Sequence, residues 1–374
     1  MKYTRRQFIK HLSALATTGV AAPYLISCSS QTALEEEIRA FCIDFNWGPG
    51  GPNAFSKAGL WADANPEEHI QWYKDLGCTV AQTFAVSHNG WAWYRSGVAP
   101  EQPGLKYDFL TDMVRLGHKK GMKVFGYFCP SANTYWGLTY PEESYGIPAD
   151  YHIPYTNKYL DYLGASIEDA LKRTGMDGFM IDWLWNPRTN DWLECEQQMY
   201  VELMNEPFPG IEQITTEQTE AFRKRSLNRC WKRIYETAKS VNPNCTIWLS
   251  CNDVHDKDLV GSPILKEIDW MMNEAGDLAS VKAMEPIIGE KTRLMTCLAN
   301  WNNQDPVEVA PVTAAEGIGL YGFATPTIGS MLPSVKSYLA QPINSFTGND
   351  KIIATFARLY NGLSLDHLER YILY

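Results

Sequence analysis

The chain contains no long run of basic residues, no CxxC pair and no zinc-like spacing of His and Cys. Lys and Arg number 33 against 43 Asp and Glu, which gives a formal net charge of −10. This balance argues against a nucleic-acid-binding protein or a basic membrane-surface protein. Neither a metal nor an organic cofactor is implied by these patterns.

The nine cysteines do not suggest a disulfide framework. We expect buried free thiols, because most of these residues lie in or beside apolar runs that predict strands. The cysteines placed in this way are Cys42, Cys78, Cys129, Cys245, Cys251 and Cys297.

The N-terminus carries two export signals in register. TRRQFIK at 4–10 is typical of a twin-arginine signal, and the weakly apolar run at 12–26 is too short to span a membrane. The run ends in LISC, which resembles a bacterial lipobox and predicts a lipidated Cys28. A chance arginine pair would not explain both signals. We therefore predict a signal at 1–28, a tether at 29–37, and export to the periplasm or cell surface, with membrane contact only through the lipid.

Eight short apolar runs alternate with helical segments over residues 38–345. This alternation predicts an α/β fold, a (β/α)8 TIM barrel. A doubly wound open sheet is the alternative, but no GxGxxG follows the first run. The predicted strands are Phe41–Asn46, Thr79–Phe84, Met122–Phe128, Gly178–Asp182, Thr246–Ser250, Ile268–Met272, Arg293–Ala299 and Gly319–Phe323.

The intervals between these strands carry helix signals. Asn65 is a plausible N-cap before Pro66 at the first helical position. The interval after the fifth strand is short and contains Gly and Pro, which predicts a degenerate helix. The chain ends in a helical segment at 346–374, with no C-terminal β-sandwich. The other predicted helices are Pro66–Leu76, Phe109–Lys120, Asn157–Thr174 and Thr216–Ser240.

The segment DGFMIDWLW at 177–185 places one carboxylate, Asp182, at the end of a nearly continuous apolar strand. In a barrel, catalytic groups follow the carboxyl ends of the strands. Indole rings can stack on sugar C–H bonds, and a carboxylate can attack an anomeric carbon. The competing interpretation is an Asp that caps the next helix.

The residues that follow the other strands are mainly Trp, Asn, His and acids, with almost no Lys or Arg. Amides and indoles suit hydroxyl-rich, uncharged ligands, whereas phosphates require cations or a Gly-rich loop. Asp44 is expected to bind a hydroxyl, to orient the nucleophile or to be structural. The predicted substrate-binding residues are Asp44, Asn46, Trp47, His88, Trp91, Trp136, Trp183, Trp185, Asn252 and Trp301.

A retaining glycosidase needs a second carboxyl group about 5–5.5 Å from the first. Glu274 is the first candidate, although it could equally be a first-turn acid of the helix at 277–283. Asp253 is the second candidate and could equally be a turn residue. Glu206, in MNEP, is expected to be a decoy in an inserted loop, because it lies well past the fourth strand.

Four motifs in order resemble glycoside hydrolase family 29, the α-L-fucosidases. They are FCIDFNWGPG at 41–50, VSHNGWAWYRS at 86–96, GMKVFGYF at 121–128 and DGFMIDW at 177–183. The resemblance implies that Asp182 is the nucleophile, that His88 binds a sugar hydroxyl and that Trp47 forms a wall. Asn46 and Asn89 replace a His and an Asp of the family, which implies a changed pattern of hydroxyl hydrogen bonds. Fucose is therefore not predicted as the substrate.

The sequence thus predicts an exported glycoside hydrolase, retaining in mechanism, that acts on an oligosaccharide or glycoside with Asp182 as nucleophile. A non-catalytic glycan-binding surface lipoprotein on the same scaffold is the alternative. The two differ in the second carboxylate, which a binder does not need. A non-glycosidic hydrolase or lyase also stays open, because fold alone does not determine function.

Overall fold

A computed structural model describes residues 37–49, 55–145, 152–184, 192–251, 255–274, 278–299, 304–326 and 332–365. Cys251 is described by its backbone only. Within these ranges eight parallel strands, β1 to β8, close into a barrel in chain order, which confirms the predicted (β/α)8 fold. The strands are β1 Arg39–Ile43, β2 Val80–Gln82, β3 Lys123–Phe128, β4 Gly178–Ile181, β5 Thr246–Cys251, β6 Trp270–Asn273, β7 Arg293–Leu298 and β8 Gly319–Ala324.

Helices follow the strands and cover the outside of the barrel. The helix after β5 has only four residues, which confirms the expected degenerate unit. The helices are α1 Pro66–Leu76, α2 Phe109–Lys119, α3 Thr134–Thr139, α4 Asn157–Thr174, α5 Glu194–Met204, α6 Thr216–Val241, α7 Ile264–Glu267, α8 Leu278–Ala283, α9 Pro306–Ala315, α10 Val335–Ala340 and α11 Gly348–Tyr360. No β-sandwich occurs in the described residues.

The start and end of α1 follow from local sequence. The Asn65 side chain accepts a hydrogen bond from the Glu67 amide at 2.9 Å, and Pro66 occupies the first turn, as predicted. Gly77 ends the helix with φ +88°, and a Cβ there would lie 2.7 Å from Cβ of Tyr360 in α11. Glycine is thus required both by the turn and by the close approach of α11.

The first strand ends three residues before its predicted end. Asp44 Oδ1 accepts a hydrogen bond from the amide of Asn46 at 2.8 Å, and this turn ends β1 at Ile43. The remaining strand boundaries lie within two residues of their predicted positions, and β3 ends at the predicted Phe128. Because β1 stops early, Asn46 and Trp47 lie on the loop above the barrel.

The period of two along each strand divides barrel-facing from helix-facing side chains. Trp270 of β6 stacks on Phe125 of β3 with ring centroids 4.7 Å apart, and Trp248 of β5 lies 5.9 Å from Trp270. These rings fill the barrel interior, so the interior is packed rather than a pore. Tyr127 and Met272, two positions further along β3 and β6, lie nearer the carboxyl end of the barrel.

The described thiols are free, and all but Cys195 are buried. This confirms the expectation for Cys42, Cys78, Cys129, Cys245 and Cys297, while the side chain of Cys251 lies outside the described residues. In the part of the chain that the structure describes, no helix is long and apolar enough to cross a bilayer.

Candidate active site

Three carboxyl groups from three different strands line one cavity at the carboxyl end of the barrel. Asp44 follows β1, Asp182 follows β4 and Glu274 follows β6. The cavity is narrow and has about 50 Å³ of space for water. Its described lining consists of Asp44, Asn46, Trp47, Phe55, His88, Tyr127, Met180, Asp182, Trp183, Met272, Glu274, Tyr321 and Phe323.

Asp182 is held by two hydrogen bonds. The Tyr127 hydroxyl donates to Oδ2 at 2.7 Å, and the Trp183 amide donates to Oδ1 at 3.0 Å. Burial raises the pKa of Asp182 to about 6, and these two hydrogen bonds limit the rise. The carboxyl group is therefore mainly ionised and oriented at neutral pH, as a nucleophile requires.

The backbone turns sharply just after Asp182. Trp183 has φ +51°, a left-handed conformation that is costly for a residue with a bulky side chain. The Ser131 hydroxyl holds this turn by donating to the Trp183 carbonyl at 2.5 Å. The turn places both the Asp182 carboxylate and the Trp183 side chain on the cavity wall.

Glu274 lies in the same cavity with a different protonation state. Burial raises its pKa to about 8, and the charges of Asp182 and Asp44 contribute to the rise. The Ser250 hydroxyl contacts Oε2 at 3.4 Å. Glu274 is therefore mainly protonated at pH 7, while Asp182 is mainly ionised. Two acids whose pKa values are separated in this way suit acid and nucleophile functions.

Asp44 is both a structural and a cavity residue. Its Oδ1 forms the turn with the Asn46 amide, and its carboxyl group lines the cavity. Burial raises the pKa of Asp44 to about 7, and the charge of Asp182 also raises it, against the Asn46 hydrogen bond. The structural and substrate-binding interpretations of Asp44 are thus compatible.

His88 and Asn46 form a pair on the cavity wall. Asn46 Oδ1 lies 3.1 Å from both the His88 amide nitrogen and His88 Nδ1. An amide oxygen only accepts, so Nδ1 carries the proton and Nε2 is an acceptor. Burial lowers the pKa of His88 to about 3, so the ring is neutral at pH 7. A neutral imidazole with a defined tautomer can accept a hydrogen bond from a substrate hydroxyl.

Phe55 completes an aromatic wall that sequence reasoning missed. Its ring stacks on Trp47 with centroids 4.6 Å apart, and it lies 4.3 Å from the His88 ring. Trp183 meets Phe55 edge-on at 5.9 Å. Phe55 lies in a loop without periodicity, so no sequence pattern marked it. Tyr127 was also missed, although its place two residues after Phe125 in β3 could have indicated an inward side chain.

The structure brings together seven of the residues proposed from sequence, and places two elsewhere. Trp91 lines a groove beside the cavity. Trp136 is 3% exposed and packs on Tyr159 and Tyr162, so it does not line the cavity. Trp185, Asn252, Asp253, Trp301 and Cys28 lie outside the described residues. The residues in the cavity are Asp44, Asn46, Trp47, His88, Asp182, Trp183 and Glu274.

Glu206 does not line the cavity. It is exposed, and its Oε1 accepts from the Tyr200 hydroxyl at 2.6 Å and from Gln218 at 3.2 Å. These contacts agree with its prediction as a decoy in an inserted loop. Among the residues that the structure describes, no group of three or more His, Cys, Asp or Glu side chains is arranged to hold a metal ion.

Residues 65–183 match the family model described as hypothetical glycosyl hydrolase 6. This match covers α1 to the end of β4 and includes Tyr127 and Asp182. It therefore supports a glycoside hydrolase as the class of protein. No curated protein matches the sequence.

Solved structures of three glycoside hydrolases are similar to the chain in fold. The α-L-fucosidase isoenzyme 2 from Paenibacillus thiaminolyticus has a TM-score of 0.63 at 17% identity, over 87% of this chain and 49% of that one. The chain thus spans about half the length of that fucosidase. An α-L-fucosidase GH29 from Bacteroides thetaiotaomicron gives 0.51 at 12% identity, over 87% and 71%.

The PgaB (BpsB) glycoside hydrolase domain from Bordetella bronchiseptica gives a TM-score of 0.55 at 14% identity, over 77% of this chain and 93% of that domain. At these identities the structures share the fold. The predicted resemblance to a divergent, family-29-like barrel is confirmed.

Proposed function

We propose that the protein is a retaining glycoside hydrolase in which Asp182 is the nucleophile and Glu274 the acid and base. One observation carries the proposal: the two carboxyl groups line the same cavity, and the charge of Asp182 raises the pKa of Glu274. A retaining mechanism requires an ionised and a protonated carboxyl group beside one anomeric carbon.

In the first step, Asp182 attacks the anomeric carbon and the bond to the leaving oxygen breaks. Glu274 gives its proton to that oxygen, and a glycosyl ester forms on Asp182. In the second step, Glu274 takes a proton from water, and the water oxygen attacks the anomeric carbon. The ester bond breaks, the sugar leaves with its original configuration, and both carboxyl groups return to their starting states.

The remaining cavity residues support a neutral sugar as substrate. Trp47, Phe55 and Trp183 provide aromatic faces for C–H bonds, and His88 provides a hydrogen-bond acceptor. Three acids without a described Lys or Arg in the lining disfavour a phosphorylated or carboxylated sugar in this cavity. The non-catalytic binding alternative is less well supported, because a binder does not need paired acids.

Release of reducing sugar from a panel of aryl glycosides and plant or host glycans tests the function. We expect wild type to be active, and Glu206→Gln to match it, because Glu206 is exposed and outside the cavity. Glu274→Gln should be about 10²–10⁴-fold slower on glycans, the usual range for loss of a general acid. Asp182→Asn should be slower still. Activity that is unchanged in Asp182→Asn would remove Asp182 as the nucleophile.

We further propose that the enzyme is exported from the cytoplasm and is attached to the membrane by a lipid on Cys28. The support is the twin-arginine motif and the LISC sequence that ends at Cys28. Metabolic labelling with a palmitate analogue should mark the wild-type chain, and Cys28→Ala should abolish the label. An unlabelled wild-type protein would contradict the anchor without affecting the catalytic proposal.

A further inference from the structure

A groove adjoins the catalytic cavity on one side. It has about 300 Å³ of space for water and shares two wall residues with the cavity, Phe55 and His88. Its volume is at the lower end of the range for small-molecule sites. The cavity alone is much narrower, so the groove provides room that one sugar in the cavity would not use.

The groove has an apolar wall held by the loop after β2. The Trp91 indole is partly buried and lines the groove, and it meets the Tyr135 ring edge-on with centroids 5.5 Å apart. Asn89 Oδ1 accepts from the Trp91 amide at 3.2 Å, which holds the loop. Leu138 of α3 is 57% exposed in the same groove. An indole held in place beside an exposed apolar side chain is suited to stacking on a sugar ring.

The position of the groove relative to Glu274 determines which part of a substrate it can contact. Trp91 and His88 follow β2, whereas Glu274 follows β6. In the closed order β1 to β8, these two strands are four steps apart in either direction, so they lie on opposite sides of the barrel. The leaving oxygen must lie near Glu274, which protonates it. A groove on the opposite side therefore faces the part of the substrate that stays on Asp182.

We propose that this groove binds a second saccharide, attached to a non-anomeric hydroxyl of the sugar in the cavity. The enzyme then releases a disaccharide, or a sugar with a saccharide branch, rather than a single monosaccharide. The inference rests on the proposed function, because it takes Glu274 as the acid. No carboxylate occurs among the described groove residues, so the groove differs in charge from the cavity.

Two glycosyl fluorides test the proposal with the intact protein. The saccharide that wild type releases from glycans is identified first. One probe is the glycosyl fluoride of the reducing-end sugar of this product alone, and the other is the fluoride of the disaccharide that contains this sugar. Fluoride occupies no further subsite, so the two probes differ only in the second saccharide. We expect mass spectrometry of the glycan digest to show a disaccharide, and the disaccharide fluoride to have the higher kcat/KM.

Trp91→Ala should lower kcat/KM for the disaccharide fluoride about 10-fold, the upper range for one aromatic contact. The kcat/KM for the monosaccharide fluoride should not change. Trp91→Phe should retain most of the preference. Val312→Ala is the matched control, because Val312 is 50% exposed on α9 and outside both sites. Equal losses on both fluorides, or monosaccharide as the released product, would overturn the proposal.

The proposal would also be overturned if Trp91→Ala lowered kcat/KM only for substrates with a bulky leaving group, such as aryl glycosides. The groove would then bind the leaving side of the substrate. If wild type releases no saccharide from any glycan of the panel, the proposed function fails, and calorimetric titration with a set of free neutral disaccharides then tests the groove directly. Weaker binding by Trp91→Ala than by Val312→Ala supports the groove as a sugar site, and equal binding by the two variants rejects it.

Discussion

The separation of the two carboxyl pKa values makes a quantitative prediction for the pH dependence of kcat/KM. Ordinary values of 3.8 for Asp182 and 4.5 for Glu274 would give an active state near pH 4. The structure raises the two pKa values to about 6 and about 8, with burial as the largest cause. We therefore expect a bell-shaped profile with its maximum near pH 7.

The amplitude follows from the same values. At pH 7 about 80% of the molecules carry an ionised Asp182 together with a protonated Glu274. At pH 5 or pH 9 the corresponding fraction is about 9%, so kcat/KM should fall about ninefold on each side. A stopped assay with an aryl glycoside over pH 4–10 measures both limbs, and a maximum near pH 4 would refute the assignment.

Asp44→Asn perturbs the profile in a defined direction. The charge of Asp44 raises the pKa of Glu274, so its removal should move the alkaline limb to lower pH. Asp350→Asn is the control, because Asp350 lies on α11, where it accepts from the Tyr338 hydroxyl. If the alkaline limb of Asp44→Asn stays where it is in wild type, the charge of Asp44 does not raise the pKa of Glu274.

Three further outcomes are expected. Tyr127→Phe removes a hydrogen bond that lowers the pKa of Asp182, so the acid limb of kcat/KM should move to higher pH. The control Tyr200→Phe loses a hydroxyl hydrogen bond to the exposed Glu206 and should leave this limb in place. The same acid limb in both variants would contradict the effect of Tyr127 on Asp182. The pKa of Glu274 is raised in the folded state, so the native state binds its proton more tightly, and stability falls as pH rises from about 4.5 to about 8. Glu274→Gln should therefore raise Tm above that of wild type by a few degrees at pH 8–9 and leave it unchanged near pH 4, as measured by calorimetry. A Tm below that of wild type at pH 9 would contradict the destabilising effect of the buried Glu274 charge. Arg6→Lys should reduce export, so that the precursor accumulates in the cytoplasmic fraction on immunoblots; normal export of this variant would contradict the twin-arginine signal.

The barrel and its helix boundaries were predictable from sequence because the signals are local. Nearly continuous apolar runs mark strands that are covered on both faces, as in GFMI of β4. Asn65 with Pro66, and Gly175 in a left-handed conformation, mark helix ends through hydrogen bonds within a few residues. The carboxyl end of each strand then indicated where Asp182 and Glu274 would lie.

The contacts within the site were less predictable because they depend on loop conformation. Trp136 was expected to bind substrate, but Asn133 caps a short helix, α3, and the helical turn directs Trp136 onto Tyr159 of α4. Phe55 joins the site because an isolated antiparallel bridge pairs it with Trp47. Neither arrangement follows from the period of the sequence.

The most direct test of the account is to trap the covalent intermediate. The probe is the 2-deoxy-2-fluoro glycosyl fluoride of the saccharide that wild type releases from glycans. Peptide mapping by mass spectrometry locates the adduct. Fluorine at C2 slows both steps, and the reactive leaving group allows the first step to proceed. We predict one glycosyl group on Asp182 and none in Asp182→Asn. An adduct on Asp44, or hydrolysis of the parent substrate with inverted configuration, would contradict the proposed mechanism.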